Sequence, residues 1–227
     1  MSRLLTVVLS FAVLLACGYA HAPQQREVRL TEFAGNRVSV IGDSYTTGSD
    51  QGGNGSKGWS PQVWRMLTEH GIAVTPTVAA EGGAGYCTRG NRGSVYEDLT
   101  VRAVKPSDVL VVFFGSRNDM KADPTRLSIA MYGTFSLARR IARTADLLVI
   151  GPPWPTADPP PEIVRVRDVL KYQAELAGAT FFDPIAARWF VGRPELIGAD
   201  GVHPTDAGHA YMAGKIAPLI SAKLHPF

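Results

Sequence analysis

Val109-Leu110-Val111-Val112-Phe113-Phe114 is apolar at every position, with Pro106-Ser107-Asp108 before it and Gly115-Ser116 after it. A strand with one face in water alternates apolar and polar residues. An unbroken apolar run bounded by turn formers is instead a strand covered on both faces. That requires a sheet with helices on each side, which an alternation of strands and helices supplies. The rest of the chain alternates in this way. Val38-Ser39-Val40-Ile41, Ile72 to Val78, Leu147 to Ile150 and Thr180 to Phe182 read as further strands. Helices are predicted from Ser60-Pro61 to a stop at Gly71, over Val95 to Val104, from Asp123-Pro124 to about Arg143, from about Glu162 to Ala177, and from about Asp206 to Leu224. The expected fold is α/β: a three-layer α/β/α sandwich on a mostly parallel, doubly wound, flavodoxin-like sheet of about five strands.

At 227 residues the chain suffices for one domain with a substantial core, expected over 36–227. Ahead of it, Arg3 and the apolar run from Leu4 to Ala16 read as a secretory signal peptide over 1–22, followed by a polar tether over 23–35. The apolar run is shorter than the ~20 residues that span a bilayer as a helix. Leu14-Leu15-Ala16-Cys17 resembles a bacterial lipobox, which would place a lipid on Cys17 and hold the protein at the membrane. Cleavage after Ala20 or Ala22 is the alternative, and either reading exports the chain to the cell envelope or beyond. Cys17 and Cys87 are the only cysteines, so no disulfide framework exists. A net charge of +3, dispersed along the chain, argues against a nucleic-acid partner.

Polar turn formers follow strand after strand, and in a parallel sheet those ends share one edge. Gly42-Asp43-Ser44 follows the first strand, Gly82-Gly83-Ala84-Gly85 the second and Asn118 the third, while Asp200 and His203 precede the closing helix. Acyl transfer needs a nucleophile, a base for its proton, a carboxylate to orient that base and donors for the oxyanion. The sequence offers candidates for each. A metal phosphoesterase built on Asp43, Asp200 and His203 would need further ligands, and no His-rich or acidic cluster supplies them.

With these segments in order, the chain resembles the SGNH hydrolase superfamily, the GDSL-type esterases and lipases. Gly42-Asp43-Ser44 matches the first block of that family, with Tyr45 where leucine often stands. Ala80 to Gly85 has the glycine pattern of the second block without its leading asparagine. Asn118-Asp119 matches the third, with Ser116 at the usual glycine, and Asp200-Gly201-Val202-His203 matches the last. The resemblance implies Ser44 as nucleophile, His203 as general base and Asp200 as its orienting carboxylate. It implies an oxyanion hole from the N–H groups of Ser44 and Gly85, with Gly83 the competing glycine, and from the Asn118 amide. It implies no cofactor and no metal. Expected substrates are carboxylic esters or thioesters of lipids or acylated glycans, cleaved through an acyl-enzyme. The alternatives are an O-acyltransferase on the same site and a silent glycan- or lipid-binding envelope protein. Trp154 and Arg117 are the expected substrate contacts at the same sheet edge, and the oligomeric state is left open.

Overall fold

Five parallel strands in the order β2-β1-β3-β4-β5 run through a computed structural model that describes residues 35–224. They are β1 (Asn36–Gly42), β2 (Val74–Ala80), β3 (Leu110–Phe114), β4 (Asp146–Ile150) and β5 (Thr180–Phe182). The sheet is all-parallel rather than mostly so. The signal peptide, Cys17 and the tether as far as residue 34 lie outside the described residues.

Strand pleating divides the core. In β3, Leu110, Val112 and Phe114 face one apolar cluster, while Val111 and Phe113 face the other. All five are buried, which explains the unbroken apolar run. Burying one such large side chain contributes about 1.5–3 kcal/mol. The first cluster is closed by α2 (Trp59–Glu69) and α6 (Asp206–Ser221), and the second by α3 (Tyr96–Ala103), α4 (Pro124–Ile141) and α5 (Pro161–Leu176). Trp59 and Trp189 are buried in the first cluster. Ser39 interrupts the apolar stretch Val38–Ile41 of β1, and its hydroxyl donates to Asp108 Oδ2 at 2.6 Å.

The predicted helices are all present, with shifted ends. The α2 helix starts at Trp59 behind Gly58, so Ser60 is not its cap. Asp123 does cap α4, accepting from the Arg126 N–H. One α-helix was not predicted: α1 (Ser44–Thr47), a single turn that begins at the serine itself.

Candidate active site

The strand β1 ends at Gly42, and Asp43 then caps α1 by accepting the Tyr45 N–H at 2.9 Å. A side chain at 42 would collide with Thr46, so only glycine lets the helix begin this close to the strand. Ser44 is thereby set at the carboxyl edge of the sheet, half-buried, at the first position of the turn. Its N–H has no intrahelical acceptor there.

The loop between β5 and α6 brings the partners. His203 Nε2 lies 3.0 Å from Ser44 Oγ, and His203 Nδ1 lies 2.6 Å from Asp200 Oδ2. The other Asp200 oxygen accepts the N–H groups of Val202 at 2.8 Å and His203 at 2.9 Å. Partial burial raises the Asp200 carboxyl, but the His203 ring and these two N–H groups outweigh it and hold it at about 2. The carboxylate therefore stays charged at working pH and keeps a proton on Nδ1. Nε2 is then free to accept from the serine, an arrangement able to transfer an acyl group.

Ser44 is thus brought from one end of the domain to the Asp200–His203 pair near the other. A family model described as GDSL-like lipase/acylhydrolase matches residues 40–211. The chain belongs to that family. It is a serine carboxylic ester hydrolase of the SGNH, or GDSL, type. A GDSL lipase of Mycobacterium tuberculosis (strain ATCC 25618 / H37Rv) is 56% identical over 229 residues, with 99% of each chain covered. Among solved structures, a lipase/acylhydrolase from Enterococcus faecalis superposes with a TM-score of 0.65 at 19% identity, covering 85% of this chain and 98% of that one. A family two carbohydrate esterase from Clostridium thermocellum, in complex with cellohexaose, gives 0.65 at 18% identity over 83% of this chain and 64% of that one. At these identities the two structures attest to the fold.

The GDSL-like hydrolase departs from the expected site at two places. Gly85 does not offer its N–H to the cleft, because that group donates to the Thr88 carbonyl at 2.8 Å. Its glycine is required for another reason: a Cβ at 85 would stand 2.5 Å from the Asp119 carboxylate. Gly83 instead lines the cleft beside Ser44, Asn118 and His203. It is held at φ +78°, and no acceptor for its N–H is found among the described residues. Trp154 and Arg117 are likewise not on that wall. The guanidinium stacks over the indole 4.4 Å from its centroid, so each covers the other.

Asn118 faces the cleft with its amide donating to the Ala84 carbonyl at 2.8 Å and, weakly, to Asp43 Oδ2 at 3.4 Å. The hydrogen in the longer bond is held loosely enough to be redirected toward a developing charge.

Two carboxylates shape the second loop, and sequence reasoning passed over one of them, Glu81. Asp119 accepts the N–H groups of Tyr86, Cys87 and Thr88 and the Ser116 hydroxyl. Buried Glu81 accepts those of Arg92 and Ser94. An acid directly ahead of Gly82-Gly83 was the available signal for Glu81.

Asp43 is buried, and desolvation pushes its carboxyl up to about 7, against the pull of the Tyr45 N–H and of His203. Its ordinary value is 3.8. Below the ordinary value both folded and unfolded chains hold the proton. As pH rises toward 7 the unfolded chain releases it first, so the stability that Asp43 contributes is lost. Urea unfolding should show wild type losing about 2 kcal/mol more than Asp43→Asn between about pH 5 and 8. Parallel pH profiles for the two proteins would count against this assignment.

Proposed function

We propose that the enzyme cleaves short-chain carboxylic esters of polar alcohols through an acyl-enzyme on Ser44. As Ser44 Oγ adds to the carbonyl carbon, His203 Nε2 takes its proton, and the carbonyl electrons move onto oxygen. That oxyanion is met by the N–H groups of Ser44 and Gly83 and by the Asn118 amide. Collapse expels the alcohol, which leaves with the proton from His203. Water, deprotonated by the same imidazole, then releases the acid and restores the serine. The observation that carries this reading is the continuous hydrogen-bond chain Ser44–His203–Asp200.

The substrate class follows from the walls. The cleft of about 600 Å³ beside Ser44 is lined by residues such as Thr47, Ser49, Gly82, Asn91 and Arg92, and among the described residues no large apolar side chain lines it. A long acyl chain has nowhere dry to go, whereas hydroxyl groups find donors and acceptors. This narrows the expectation of lipid or glycan esters toward the polar kind, although the mycobacterial relative is named a lipase. Export of the enzyme is part of the proposal, supported by Arg3 and the apolar run that follows it.

The test joins two measurements on the purified protein. A fluorophosphonate should add once per chain, at Ser44, as read by peptide mass. p-Nitrophenyl acetate should then be hydrolysed faster than the palmitate ester. Label on another residue would remove the mechanism, and faster turnover of palmitate would remove the substrate class.

A further inference from the structure

Every hydrogen bond that Asp200 accepts comes from within its own loop: the His203 ring, the His203 N–H and the Val202 N–H. These bonds shape the loop but do not fix where it stands relative to Ser44. Something outside the loop must do that, to within the reach of one hydrogen bond.

Tyr45 is placed to do so. It follows the nucleophile directly and is only 2% exposed. Its hydroxyl donates to the Val202 carbonyl at 2.5 Å, one residue before His203. Its ring is wedged edge-on against Phe114 at the end of β3, with centroids 6.2 Å apart, so the hydroxyl is carried on a fixed support. Burial raises its pKa, which keeps the hydroxyl a donor. Among the described residues, another polar tie to this loop from the Ser44 side is the Ala199 N–H donating to Gln51 Oε1 at 2.9 Å, at the far end from His203. A leucine at this place would have no donor to offer.

We propose that Tyr45 is a positioning residue of the reaction, holding the His203 loop in line with Ser44 through the Val202 carbonyl. The proposal rests on the Ser44–His203 reading given above. The Tyr45→Phe variant tests it, because phenylalanine keeps the ring and removes only the hydroxyl. Inactivation by a fluorophosphonate reports the serine's activation without needing the natural substrate. The maximal inactivation rate should fall about tenfold, while the concentration giving half that rate stays within about twofold of wild type. Tyr45→Leu should show the same loss of rate, and melting temperatures establish that both variants are folded.

An unchanged maximal rate in either folded variant, with the label still on Ser44, overturns the role of Tyr45 and leaves the triad standing. A change confined to the half-saturating concentration overturns it too, since Tyr45 would then shape binding. Failure of wild type to label at Ser44 overturns the triad reading and this inference with it.

Discussion

Ser44→Ala should lower kcat for p-nitrophenyl acetate by about 10⁶-fold while the protein stays folded. Thr47 and Ser49 also present hydroxyls to the cleft, but the His203 ring bonds to Ser44, so neither has a base. Losing the oxygen removes one hydrogen bond from a half-buried side chain. Stability should therefore change by no more than about 0.5 kcal/mol. Steady-state kinetics and a melting curve on the same preparation give both numbers. A variant retaining more than about 1% of wild-type activity would mean that the acyl group is carried elsewhere.

Asp200→Asn should cost about 10⁴-fold in kcat, and the reason lies in how its two oxygens are used. Oδ1 accepts the N–H groups of Val202 and His203, so the asparagine oxygen is claimed on that side. The new NH₂ then faces His203 Nδ1, 2.6 Å from the present Oδ2. It can only donate, so the ring proton moves to Nε2 and points at Ser44. An imidazole in that tautomer cannot take the serine's proton. Because the carboxyl of wild type is held at about 2, it is fully charged above about pH 4, and the loss should be present throughout the neutral range. A loss that disappears at high pH would show that charge alone, rather than the tautomer, is at stake.

The sheet was legible because burial on both faces leaves a compositional trace. The five apolar segments were found, and β2, the least apolar, was displaced by two residues because it is an edge strand with Val78 partly in water. A single turn such as α1 has no periodicity to read. The hydrogen-bonded set of Ser44, His203 and Asp200 was legible through order and spacing, yet spacing alone is ambiguous here. Asp206-Ala207-Gly208-His209 repeats the interval of Asp200 to His203. The second pair is separated by its surroundings. His209 is buried in α6, its ring accepts the Trp59 N–H, and burial drives it down to about 4. Asp206 is occupied by Gly53 and Lys57. Such surroundings are properties of the folded chain. The choice between Gly83 and Gly85 was illegible for the same reason, since the direction of an N–H is set by the turn that holds it. The stacking of Arg117 on Trp154 was illegible too, because it depends on how the two loops carrying them meet in the fold.

All the strands point the same way, with β1 entering at Asn36 on the rim opposite the reacting groups. The closing helix runs back to that rim, where Gly214 to Ser221 lie beside the end of α2 at Met66 to His70. Asn36 and the last turns of α6 thus share the rim away from Ser44, so a spectroscopic label placed on either leaves the side chains around the serine untouched.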